Sequence, residues 1–148
     1  MTFDYLVFNS MPESDVLDGI IELHKVIFGT SDDLINKMES KPQLLVITAM
    51  IGTKVIGYKI GYELDNNKFY SWLGGVDTNY RKHGIASELM EKQHQYLQEN
   101  GYSVVQTKTM NKWRSMLVLN IKNGFDVIDT NTDEKGLHKI TLEKKLLN

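Results

Sequence analysis

A chain of 148 residues with 41% hydrophobic content is long enough to bury one sizeable core and short for two, so a single domain over 1–148 is expected. Seventeen basic residues against nineteen acidic ones leave a net charge of -2, which excludes a global field that would recruit nucleic acid or an anionic membrane; any anion site has to be local. No cysteine is present, so a disulfide framework, a thiolate metal site and a cysteine nucleophile are excluded together.

The N-terminal "MTFDYLVFNSMPES" has neither the basic start and long apolar core of a signal peptide nor the length of a membrane span. A soluble, cytoplasmic protein is expected. Phe3, Tyr5 and Val7 alternate with Asp4, Leu6 and Phe8, the period of a first strand. "PES" then opens a helix whose apolar stripe runs Val16, Leu17, Ile20, Ile21, His24, Ile27 and Phe28 and ends near Gly29. Ser31 or Asp32 is placed to cap a shorter helix carrying Leu34, Ile35 and Met38, stopped by Pro42.

From Leu44 to Glu63 two β-rich runs joined by "IGTK" predict a hairpin, and "DNN" at 65–67 turns the chain into a third run, "KFYSWLGGV". A helix follows from near Gly84. The run "GYSVVQTKT" is reached through that helix and is expected to lie parallel to the strand before it. A further helix through "WRSMLVLNIKN" and two last runs, "FDVIDT" and "LHKITLEKKL", complete the chain. The order β-α-α-β-β-β-α-β-α-β-β predicts an α/β fold of mixed α+β character: one twisted, mixed, mostly antiparallel sheet of six to seven strands, with helices on both faces.

The segment Trp72 to Gln93, "WLGGVDTNYRKHGIASELMEKQ", carries the chemistry. Gly74 and Gly75 interrupt a strand, which predicts a bulge or the close approach of another group. Arg81, Lys82 and His83 then precede Gly84, Ile85, Ala86 and Ser87, small residues where a helix exposes up to four unpaired N–H groups. Phosphate fits there, and so does a plain solvated turn. No Gly-Lys-Ser/Thr follows, so this is not a nucleotide P-loop, and the other glycines of the dinucleotide fingerprint are missing.

"VDTNYRKHGIASELM" resembles the pyrophosphate-binding motif of the GNAT superfamily of N-acetyltransferases, Arg/Gln-x-x-Gly-x-Gly/Ala, here Arg81-Lys82-His83-Gly84-Ile85-Ala86. "LNIKNGF", Leu119 to Phe125, resembles the second signature of that family, a helix ending in Gly-Phe. The resemblance implies the GNAT fold over nearly the whole chain, acetyl-CoA as donor with coenzyme A as product, and no metal. It implies that Gly74, Gly75 and Val76 pair with the pantetheine arm as if it were an added strand, with Val76 N–H facing the thioester carbonyl. The amides from His83 to Ser87 are then expected to hold the pyrophosphate, flanked by Arg81 and Lys82, and Asn111 to contact pantetheine.

Acetyl transfer to an amine needs a neutral nucleophile, and deprotonating a lysine-like amine costs roughly 4 to 5 kcal/mol at pH 7. Many members of the family carry a tyrosine acid on the second signature helix; the matching residue here is Asn120, which cannot serve as an acid but can hold the sulfur, an amide or a water. Some members use a carboxylate base on the fourth strand, where this chain has Tyr70. Glu63 is the nearby carboxylate. Each has a plainer reading, Tyr70 as a wall of the acceptor pocket and Glu63 as a solvated strand-end charge. His24 reads as a satisfied helix histidine, and His94 and His138 lack partners at metal spacing.

The expected activity is therefore transfer of the acetyl group of acetyl-CoA to a small-molecule or peptide amine by direct attack in a ternary complex. The alternative is a non-catalytic acyl-CoA-binding sensor or docking module of the same fold. No nucleic-acid or membrane partner is expected, and the resemblance allows a homodimer through the last strands or the sheet edge.

Overall fold

Residues 2–146 are described by the computed structural model. The apolar run after Pro42 becomes β2 (Leu45–Ile51), and it is buried on both faces because helices cover both. Around it lie β1 (Asp4–Phe8), α1 (Ser14–Phe28), α2 (Leu34–Glu39), β3 (Lys54–Glu63), β4 (Lys68–Val76), α3 (Ile85–Glu99), β5 (Val104–Thr109), α4 (Arg114–Lys122), β6 (Asp126–Thr132) and β7 (His138–Lys145). The seven strands form one sheet in the order β1-β2-β3-β4-β5-β7-β6. Every neighbouring pair is antiparallel except β4 with β5, the pair joined through α3.

Side-chain alternation divides the core in two. Val46, Tyr58 and Ile60 meet Ile20 and Leu23 of α1 and Met38 of α2 on one face. Leu45, Ile47 and Ala49 meet Ile85, Leu89 and Leu97 of α3 on the other, with Phe69 and Val105. At about 1.5 to 3 kcal/mol for each fully buried aliphatic or aromatic side chain, these two layers supply most of what opposes chain entropy. The end of α4 is fixed by Gly124 at φ +95°, after which Phe125 N–H bonds back to Asn120 O at 3.0 Å and its ring is buried.

Two local expectations shift. The short helix is preceded by Asp33 at φ +60°, with no side-chain cap, rather than by Ser31 or Asp32. Val7 is exposed because β1 is an edge strand, covered only partly. Ile121 of α4 is also exposed; α4 is short and packs through Leu117 and Leu119.

The bulge lies two residues before the glycines. Ile60 pairs with Leu73 and Gly61 with Ser71, leaving Trp72 as the extra residue. Gly74 and Gly75 are in regular register opposite Lys59 and Tyr58. Their small size has a different cause at Gly75, where a Cβ would stand 2.5 Å from Ile27 Cδ1 of α1.

A buried histidine makes the α3 face sensitive to acid. Burial, then the ammonium groups of Lys144 and Lys59, push His94 down to about 3. Lys144 Nζ donates to its Nδ1 at 3.2 Å, which fits a neutral ring. The unfolded chain binds a proton near pH 6.5 and the folded one does not, so stability is full above pH 6.5 and falls as the pH drops toward 3, by up to about 1.4 kcal/mol per unit. Urea midpoints at pH 7 and pH 4.5 are expected to differ more for the wild type than for His94→Gln.

Candidate active site

β4 and β5 pair only from Lys68 with Val104 to Ser71 with Thr107. There Thr107 Oγ1 donates to the Ser71 carbonyl at 2.9 Å, and beyond it the Trp72 bulge turns β4 away. The backbone from Trp72 to Val76 is left without a strand partner on its β5 side. A parallel pair split in this way makes a wedge, and the wedge opens into a cleft of about 520 Å³.

Its walls show what it can hold. Gly74, Gly75 and Val76 line one side, with Arg81, Lys82, Gly84, Ile85, Ala86 and Ser87 at the mouth and Asn120 of α4 across from them. Gly84 precedes α3 at φ +75° with no side-chain cap, so the amides of Ile85, Ala86 and Ser87 have no acceptor within the helix. Lys82 is also left-handed, at φ +70°, a conformation an L-residue adopts only at a cost. The helix dipole adds partial positive charge at this end.

Four cations, Lys59, Arg81, Lys82 and Lys108, line the cleft, and none of the lining residues is acidic. In a chain of net charge -2, that segregation is a local field for an anion. Phe28 at the end of α1 and Trp113, in the 3-10 turn before α4, meet edge to face at 5.5 Å and bridge the opening.

Other candidate residues lie elsewhere. His83 stacks edge-on against Phe3 at 5.7 Å and does not line the cleft, and Asn111 is exposed in the turn before α4. Tyr70 packs against Tyr62 at 5.4 Å; burial, with Tyr62 adding to it, pushes its hydroxyl up to about 12. Glu63 accepts a hydrogen bond from Tyr102 Oη at 2.9 Å. Glu63 pairs with Phe69 and Tyr62 with Tyr70, so Glu63 and Tyr70 point to opposite faces of the sheet, and neither reaches the cleft. Of the three catalytic candidates only Asn120 lines it, and Asn120 is 3% exposed.

Periodicity did not reveal Tyr58 and Lys59, which both reach the wedge from β3. The hydroxyl of Tyr58 shares a hydrogen bond with Nδ1 of His24 at 2.5 Å, and burial, then Lys37, hold that histidine below its ordinary pKa. A lone charged residue inside the apolar run "VIGYKIGY" was the available signal for Lys59.

The chain matches the profile of the acetyltransferase (GNAT) family over residues 17–114. No curated protein sequence matches it. Among solved structures it resembles Ard1 from Thermoplasma volcanium, at 15% identity and a TM-score of 0.82, over 97% of this chain and 99% of that one. It also resembles a GNAT family acetyltransferase from Elizabethkingia anophelis with acetyl-CoA bound, at 17% identity and a TM-score of 0.77, over 96% and 98% of the two chains. The ribosomal-protein-S18-alanine N-acetyltransferase from Escherichia coli superposes with a TM-score of 0.80 at 13% identity, over 98% and 96%. With the profile covering well over half of its residues, the chain belongs to the GNAT family of acetyltransferases.

Proposed function

We propose that this protein transfers the acetyl group of acetyl-CoA to a primary amine by direct attack in a ternary complex. The observation that carries the reading is the cleft itself, which sets four cations and the bare amides of α3 beside an unpaired strand edge, with no carboxylate in its lining. A ligand with a pyrophosphate at one end and an amide-containing arm at the other meets each of these features. Arg81, Lys82 and the amides from Gly84 to Ser87 would hold the phosphates, and the β4 edge at Gly74 to Val76 would pair with the pantetheine arm. When bound, acetyl-CoA supplies an acyl group already activated as a thioester.

The protein's own part is to bring a neutral amine to it. Without a carboxylate in the cleft, Lys59 and Lys108, the two cations not given to the phosphates, act on the acceptor: they disfavour an ammonium ion and lower the pKa of an entering amine. Neighbouring aromatic faces favour cations at the approach. Lys41 Nζ lies 4.7 Å from the centre of the Tyr62 ring and 4.9 Å from that of Trp72, and Trp72 lines the cleft.

Asn120 is buried, lines the cleft and has the donors and acceptor to orient a bound amide or thiol. Asn120→Ala is expected to lower kcat/KM about tenfold, the worth of roughly 1.4 kcal/mol, with little change in Tm. An unaltered rate removes the residue from the reaction. The reading as a whole is tested by acetyl-CoA-induced thermal shift together with thiol release on a panel of primary amines. A shift with release supports the transferase, a shift without release across the panel supports the sensor reading, and neither overturns both.

A further inference from the structure

Side-chain-free Gly74 and Gly75 leave room beside β4, and two residues of β3 use it from opposite faces. Tyr58 lies at Gly75, where a Cβ would be 3.5 Å from its hydroxyl, and Lys59 lies at Gly74, where a Cβ would be 3.9 Å from its Nζ. The Lys59 side chain thus runs beside the strand edge that the donor assignment gives to the pantetheine arm, and it lines the cleft. It is only 9% exposed, and among the described residues no carboxylate stands within ion-pair distance of it.

A buried ammonium without a counter-charge is costly, and the molecule relieves that cost by releasing the proton. Burial pushes the Lys59 amine down to about 8. The titratable groups near it on the α3 side are His94, which is neutral, and Lys144 of β7 behind that ring; both leave the amine free to deprotonate. Near pH 8 about half of the Lys59 population carries a free lone pair, against well under one percent for an ordinary lysine. The amine is therefore a nucleophile inside a cleft built for an acyl thioester.

We propose that Lys59 is a self-acylation site, its amine accepting the acetyl group of acetyl-CoA bound in the same cleft. The inference rests on the donor assignment made above. The Nζ lone pair forms a bond to the thioester carbonyl carbon, the carbon–sulfur bond breaks, and its electron pair leaves on sulfur. The proton lost by nitrogen ends on that thiolate, so the products are acetylated Lys59 and free coenzyme A. Acetylation removes one of the four cleft cations and adds bulk beside Gly74, and the modified protein binds acetyl-CoA more weakly. Self-acylation is then a brake that operates when donor is abundant and acceptor is scarce.

The test incubates the full chain with acetyl-CoA and no amine acceptor at pH 7.0 and 8.5, and follows intact mass and then peptide mapping. One acetyl group per chain is expected, at Lys59, at a rate that saturates with acetyl-CoA, is blocked by excess coenzyme A and rises about eightfold between the two pH values. Lys59→Arg and Lys59→Met are expected to stay unmodified at that position, and Lys59→Met, which loses the same charge as acetylation, is expected to bind acetyl-CoA more weakly than Lys59→Arg. Acetyl groups spread over exposed lysines without saturation, or an unmodified Lys59 in protein that binds and turns over acetyl-CoA, overturn this inference and leave the donor assignment standing. Absence of any acetyl-CoA binding overturns the donor assignment and this inference with it.

Discussion

Gly84→Glu is expected to abolish acetyl-CoA binding while the sheet remains folded. The substitution puts a carboxylate at the residue that opens α3, against the three free amides and between Arg81, Lys82 and the phosphates proposed to sit there. Anion would then face anion at the positive end of the helix dipole, and a weakening of at least a hundredfold, about 2.7 kcal/mol, is expected. Part of any effect comes from backbone strain, because Gly84 has φ +75° and any side chain there costs about 1 to 2 kcal/mol. Gly84→Ala separates the two contributions. Nothing lies within 4 Å of its added Cβ, so Ala carries the strain without the charge. Isothermal titration should show Ala within tenfold of the wild type and Glu without measurable heat. Equal affinities for Glu and wild type would move the phosphate site away from α3.

The largest loss of stability is expected from Phe69→Ala. Phe69 is 1% exposed on β4, stacked edge to face on Tyr102 at 5.2 Å and pressed against the backbone at Gly61, where a Cβ would be 2.5 Å from its ring. Truncation removes the ring's burial and leaves a cavity between the sheet and α3 that neither the β3 backbone nor the helix can fill. A cost of about 3 to 5 kcal/mol follows, equivalent to a fall in Tm of roughly 10 to 15 °C for a chain of this size. Phe69→Leu, which keeps most of the volume, should cost less than half of that. A thermal melt in which Ala and Leu behave alike would mean that this part of the core is not close-packed. Because the cleft begins two residues further along the same strand, the Ala variant is also expected to bind acetyl-CoA more weakly, through a displaced β4 rather than a lost contact.

The positions and kinds of the main elements were legible because local chemistry specifies them. Alternation from Phe3 to Phe8, the apolar stripe from Val16 to Phe28 and the Gly-Phe stop after α4 are each encoded within a short stretch of chain. The helix start at the mouth of the cleft was legible for the same reason, since Arg81 to Ser87 is a continuous segment that leads into α3. Residues whose placement depends on strand register were not. Glu63 and Tyr70 stand close in the linear order and on opposite faces of the sheet, because pairing across β3 and β4 sends one toward Tyr102 and the other toward Tyr62.

By itself the sequence determined that a helix start preceded by a basic triplet follows a glycine-bearing strand in a cysteine-free α/β chain, since these are properties of composition and short-range spacing. Tertiary structure decided where the wedge opens, at a bulge on Trp72 rather than at the glycines, and which side chains enter it. Lys59 and Tyr58 belong to a strand whose residues read as core, and they reach the cleft only because their cross-strand partners in β4 have no side chains. A pairing register relates residues far apart in the chain through hydrogen bonds between backbones, and backbones carry no residue identity. Nothing in the spelling of either segment alone specifies that meeting; the shared packing of both strands between α1 and α3 does.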